Sequence, residues 1–175
     1  MKQLNWQKKI FLKSLFFLFF VLNAASAENF IVGYAKVSDA DTIKISNYKI
    51  RLHGIDAPEK KQICQKPYLN LGFFYLYEDY LCGEFTTNKL REFIENDLII
   101  ECRVNDEKDF FGRYLGICFK NNININQWLV ENGYAVAFTK YSKDYVIFEE
   151  IAKNNKVGIW SGKFLMPWEW RKKNK

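Results

Sequence analysis

Histidine is nearly missing from this sequence: among 175 residues, only His53 carries an imidazole. The four cysteines, Cys64, Cys82, Cys102 and Cys118, form no C-x-x-C pair. A structural zinc site needs closely spaced thiols and imidazoles, so these two shortages leave no basis for one. Long apolar runs are missing too. Leu15–Leu22 is unbroken but far short of the roughly 20 residues that cross a bilayer. Internal repeats, low-complexity tracts and linkers are also lacking, and the length favours a single domain.

The N-terminus reads as a secretory signal. Lys2, Lys8, Lys9 and Lys13 precede the apolar run, and Ala25-Ser26-Ala27 supplies the small residues of a cleavage site. The expected organisation is a signal peptide over residues 1–27 and one domain over 28–175. Cleavage after Ala27 would leave a secreted or periplasmic monomer with no stable membrane association. Loss of four lysines takes the formal charge of +6 to +2, and Arg171, Lys172, Lys173 and Lys175 hold another four positive charges. The body of the chain is therefore mildly acidic, and its charge does not mark it as a nucleic-acid binder. All four cysteines lie in the exported part, where an even count implies disulfides. Cys64 with Cys82 would close a loop, and Cys102 with Cys118 would link facing strands.

The chemistry concentrates between Asp39 and Glu59, DADTIKISNYKIRLHGIDAPE. Two short strands, Thr42 to Ser46 and Lys49 to Gly54, are predicted from β-branched residues and period-two alternation, joined by an Asn47-Tyr48 turn. Such a hairpin brings Asp41, Asp56 and Glu59 to one end. Arg51 lies between the apolar Ile50 and Leu52, so the pleat turns it to the opposite face, toward the acids. Converging carboxylates with an arginine suggest phosphate chemistry on a metal.

Around this stretch, Asn29 to Ser38 reads as an opening strand. Lys60 to Gly83 reads as a long loop rich in aromatics (Phe73, Phe74, Tyr75, Tyr77, Tyr80), and a helix from Glu84 to about Asn96 follows. Leu98 to Val104 and Gly112 to Phe119 form a second predicted hairpin, with a loop from Asn105 to Phe111. A helix over Asn124 to Glu131 ends at Asn132-Gly133. Tyr134 to Phe138 is extended. A last helix is expected from an Asp144 cap to Lys156, with Val146, Ile147, Phe148 and Ile151 facing in. Trp160 to Trp170 reads as irregular. This pattern suits an α+β, mainly β fold: a small closed barrel of about five strands with about three packed helices.

The order D-A-D-T, R-L-x-G-I-D-A-P-E, D-F-F-G-R, I-N-Q-W-L-V-E-N-G-Y-A and G-I-W, from about Val32 to Trp170, closely resembles the thermonuclease family of staphylococcal-nuclease-like OB-fold enzymes. The exported, cysteine-containing members are the nearest in type. The resemblance implies a Ca²⁺-dependent nuclease that hydrolyses DNA, and RNA as well, to 3′-phosphate ends. Asp41 and Asp56 match the family's calcium ligands, and Ala57 matches a residue that offers its backbone carbonyl. Hard oxygens of this kind suit calcium, which takes six to eight of them. Glu59 matches the carboxylate that acts on the attacking water, and Pro58 restricts the chain between it and Asp56. Arg51 and Arg113 match two phosphate-binding arginines, whose planar forks pair with phosphoryl oxygens. Gly112 is expected to let the backbone turn so that Arg113 reaches in.

Asp39 and Asp109 read as supports of turns, and His53 as a solvated strand residue. Tyr134, Phe138 and Tyr141 are candidates for stacking on a base, shared with duty in the core. Ala40 stands where the family commonly has glycine, so a left-handed backbone there would be slightly strained. Two other classes compete: a non-catalytic OB-fold nucleic-acid-binding module, and an envelope interaction protein using the aromatic loop and basic tail. A pure binding module has no need of Asp41, Asp56, Glu59, Arg51 and Arg113 together.

Overall fold

In the computed structural model, residues 29–94 and 99–174 are described; the expected signal peptide lies outside them. β1 (Asn29–Asp39) is long enough to serve two neighbours. Its first half pairs with β7 (Ile99–Lys108), from Asn29 opposite Val104 to Tyr34 opposite Ile99. Its second half pairs with β2 (Thr42–Ile45). β2 turns back into β3 (Tyr48–Leu52), and β7 pairs with β8 (Tyr114–Lys120). A parallel pairing of β3 with β8 closes the ring, giving the order β3-β2-β1-β7-β8 and back to β3. This is a closed five-stranded barrel of the OB type, and closure leaves it no free edges.

Alternation fills the interior. Ile100, Cys102 and Val104 of β7 point in while Ile99, Glu101 and Arg103 point out. With Ile43, Ile45, Ile50 and Leu52 they form one continuous apolar core. Cys102 and Cys118 stand directly opposite in the β7–β8 register, and their disulfide lies inside the barrel. Among the described residues, four α-helices pack outside: α1 (Cys82–Ile94), α2 (Ile125–Glu131), α3 (Val146–Asn155) and α4 (Pro167–Lys173). Asn124 caps α2 by accepting from the Gln127 backbone N–H.

Several expectations shift. The first hairpin turns at Ser46-Asn47, one residue early, with Ser46 in the left-handed region and Tyr48 already paired with Ile45. The region expected as a loop contains a second hairpin, β5 (Ile63–Asn70) with β6 (Tyr75–Leu81). Pro67 sits beside a register shift in it, and its aromatics are largely exposed, which hid the alternation. β7 runs on to Lys108, into the expected loop. Asp144 does not cap α3, and Ile147 and Ile151 are exposed; Val146 and Phe148 pack against the core as expected, beside the buried Ala152 and Glu149. Ala40 is buried and does not have a positive φ, so the feared strain is absent there. The fourth helix was unforeseen. It starts at Pro167, the first helical position, and Glu169 reaches back to the Met166 N–H.

Candidate active site

The pairing of Thr42 with Arg51 places the arginine beside the residue that follows Asp41. Arg51 Nη1 donates to Asp41 Oδ2 at 2.6 Å, and Nη2 donates to Asp56 Oδ1 at 3.0 Å. Thr42 Oγ1 donates to the other Asp41 oxygen at 2.9 Å. Asp56 is fully buried, held at β4 (Ile55–Asp56), which pairs with β9 (Val136–Ala137). Burial alone would weaken the charge on Arg51. The fields of Asp41 and Asp56 outweigh it and raise the guanidinium above its ordinary pKa.

Glu59 sits on a segment held from two sides. Its backbone N–H donates to Gln62 Oε1, and its carbonyl accepts from the Gln62 N–H. Behind it, Gly83 at the start of α1 approaches so closely that a Cβ there would lie 1.8 Å from the Glu59 carbonyl oxygen. The Cys64–Cys82 disulfide ties α1 to β5 next to this contact.

Arg113 arrives from the turn before β8. Gly112 there has φ +74°, a conformation that glycine adopts without strain. Asp109 accepts from the Phe111 and Arg113 backbone N–H groups and, through Oδ2, from Arg113 Nε at 2.9 Å. Burial pushes the Asp109 carboxyl up, but the Arg113 bonds dominate and hold it below the usual range. Asp39 shows the reverse. Burial raises its carboxyl, Asp41 and Glu59 add to the rise, and bonds from the Ala40 N–H and Thr87 hydroxyl only partly oppose them.

A third arginine was missed. Arg171, counted in the sequence only as tail charge, lies on α4 and donates to Asp56 Oδ1 and Oδ2 at 3.1 and 2.7 Å and to Glu59 Oε1 at 2.8 Å. Burial opposes its charge, and the bonds to Asp56 and Glu59 raise its pKa well above the ordinary value. The helix-start signal at Pro167 and Glu169 was available, but nothing local told where the helix would dock.

Two cavities meet here. A small polar one of about 80 Å³ is lined by Asp39, Asp41, Thr42, Ala57, Pro58 and Glu59, with Arg51 and Arg113. A groove of about 690 Å³ is walled by Phe110, Phe111, Phe138 and Tyr141, and also reaches Arg171 and His53. Arg51, Glu59 and Arg113 line both, and so form the boundary between them. His53 lies half-buried in the turn after β3, not in a strand. Tyr134 is elsewhere, packed on Phe85 and Trp128.

A family model described as Staphylococcal nuclease homologue matches residues 49–162. The chain belongs to this family. It is similar to the succinoglycan biosynthesis protein ExoI of Rhizobium meliloti, 33% identical over 138 residues, covering 78% of this chain and 68% of that protein. An uncharacterized endonuclease of Haemophilus influenzae is 30% identical over 176 residues, covering 96% and 88%. A probable staphylococcal-like nuclease, CAN3, of Oryza sativa subsp. japonica is 33% identical over 144 residues, covering 80% of this chain but 33% of that protein. The staphylococcal nuclease homologue match includes Arg51, Asp56, Glu59 and Arg113; Asp41 precedes it and Arg171 follows it.

The donor set fits the hard cation that such a family implies. The carboxylates Asp39, Asp41 and Glu59, with Thr42 and Ala57, line a polar cavity of ion-plus-water size. Among the described residues, no three His, Cys, Asp or Glu side chains form a group that could hold a metal by themselves; a shell here would need carbonyl, water and substrate oxygens as well.

Proposed function

We propose that this chain is an exported, calcium-dependent nuclease that hydrolyses phosphodiester bonds of DNA and RNA, leaving 3′-phosphate ends. The relatives support a nuclease. The observation that carries the finer reading is the shared boundary of the two cavities: Arg51, Glu59 and Arg113 stand between a carboxylate pocket and an aromatic groove. A nucleic acid lying along that groove, with bases against Phe138 and Tyr141, presents a phosphate to those three residues.

In this reading Glu59 orients and deprotonates the attacking water, and its position is set by Gln62 and Gly83. Arg51 and Arg113 bind the equatorial phosphoryl oxygens and meet the charge that grows there in the transition state. Asp109 keeps the Arg113 fork in a fixed plane. Asp41, Asp56 and the Ala57 carbonyl would hold Ca²⁺, which when bound supplies Lewis-acid stabilisation of the phosphate. Both disulfides agree with an extracytoplasmic location, and no helix among the described residues is long and apolar enough to cross a membrane. Residues 1–27 act as the signal peptide, and the mature protein works as a monomer.

The test is plasmid nicking and oligonucleotide cleavage after chelation, with Ca²⁺ or Mg²⁺ restored. Calcium should restore the rate and Mg²⁺ should do so poorly, with 3′-phosphate products by end-labelling. Full activity in chelator would reject the metal assignment.

A further inference from the structure

Arg171 makes three contacts with two acids of the site, and the fold invests several separate interactions in bringing it there. Trp168, one turn earlier on α4, stacks on Phe138 with ring centroids 5.5 Å apart and planes 14° from parallel. Gln62 is fully buried: its Oε1 receives the Glu59 N–H, and its Nε2 donates to the Leu165 carbonyl at 2.7 Å. One side chain thus ties the segment carrying Glu59 to the segment leading into α4. Further back, Gln65 and Lys163 exchange backbone hydrogen bonds. All of α4 lies beyond residue 162, where the family match ends.

The contacts nearly fill Asp56. A carboxylate offers about four acceptor positions, and Arg51 with Arg171 fill three of them. Arg51 also donates to Asp41, whereas among the described residues Arg171 donates only to Asp56 and Glu59. Exposed ion pairs contribute little, but Asp56 is wholly buried and cannot be left charged and unpaired. Asp56 lines neither cavity, so a cation reaching it from either one must displace one of its partners, and Arg171, on the groove side and one-third exposed, is the one with room to move.

We propose that Arg171 is a positioning residue of the active site, a built-in counter-cation that holds Asp56 and Glu59 in place without metal and competes with a divalent cation for Asp56. This rests on the calcium reading above. Binding of the ion releases the guanidinium toward the groove, so α4 responds to whether the site is loaded.

Calorimetric titration of Ca²⁺ into the whole mature chain tests this, using wild type, Arg171→Gln and Arg171→Lys, with circular dichroism to establish folding. Arg171→Gln should bind Ca²⁺ about tenfold more tightly, the size of one partly exposed charge-assisted contact. Its melting temperature should be lower than wild type in chelator and rise more on adding Ca²⁺. Arg171→Lys keeps the charge without the fork and should fall between; it also serves if the glutamine variant does not fold. Wild type that binds Ca²⁺ while folded variants bind it no more tightly would overturn the role of Arg171 alone. No calcium binding by any of the three would overturn the calcium reading and this inference with it.

Discussion

Replacing Gly83 by alanine puts a methyl carbon 1.8 Å from the Glu59 carbonyl oxygen and 2.4 Å from its carbonyl carbon. Both are backbone atoms, so no side chain can swing aside. Ordinary contact needs the two segments to part by about 1.5 Å. Helix α1 cannot simply retreat, because Cys82 next door is bonded to Cys64 and Leu90 is buried in the core. The strain falls largely on the Glu59 segment. Overpacking of this kind costs about 1–3 kcal/mol. Alanine in a helix returns up to about 1 kcal/mol relative to glycine, so the net loss leaves a typical domain folded. The rate should suffer far more, since a displacement of about 1 Å at a reacting group lowers it by about 10²-fold. The assay is initial rate on a single-stranded oligonucleotide at saturating calcium, beside thermal melting. Gly72→Ala is the control: its φ is +84°, but an added Cβ meets nothing within 4 Å, so it should melt slightly lower at unchanged kcat. A folded Gly83→Ala protein with wild-type kcat would show that this contact does not set the position of Glu59.

Asp41→Asn should raise the calcium needed for half-maximal rate and recover in excess calcium, whereas Glu59→Gln should lose about 10² to 10⁴ in kcat without recovery; equal rescue of both would make Glu59 a ligand. Arg113→Lys should lower kcat with the fold intact by circular dichroism, and an unchanged kcat would remove Arg113 from the transition state. Because the Asp109 carboxyl is held low, its stabilisation is complete above the unfolded value of about 3.9 and fades as pH falls through the lower folded value. Melting temperature should thus decline less below about pH 4 in Asp109→Asn than in wild type, and parallel declines would deny the Asp109–Arg113 lock. Non-reducing peptide mapping of exported protein should find Cys64 linked to Cys82 and Cys102 to Cys118; free thiols or a Cys64–Cys102 link would contradict the fold.

Local pattern carried much of this protein. Alternation in Ile99–Val104 announces a half-buried strand, because each residue meets the core or solvent according to its parity. Asp41, Arg51 and Asp56 were legible together for the same reason: a hairpin with a short turn leaves little freedom in how its ends meet. Cys102 and Cys118 follow from the β7–β8 register alone. Where burial comes from distant chain, sequence was silent or misleading. The β5–β6 hairpin has mostly exposed aromatics, so no polarity difference marked its faces. Ile147 and Ile151 read as core residues but look outward, because α3 docks through Val146, Phe148, Ala152 and Glu149, whose Oε1 accepts from the Ala137 N–H. Arg171 is the clearest case. Its neighbours Lys172 and Lys173 have the same charge and the same helix, and only the docking of α4 through Trp168 and Leu165 decides that this one cation reaches Asp56, 115 residues away in sequence. Spacing encodes which residues share a strand or turn; which distant segment fills the remaining acceptor sites of a buried carboxylate is settled by packing of the whole chain.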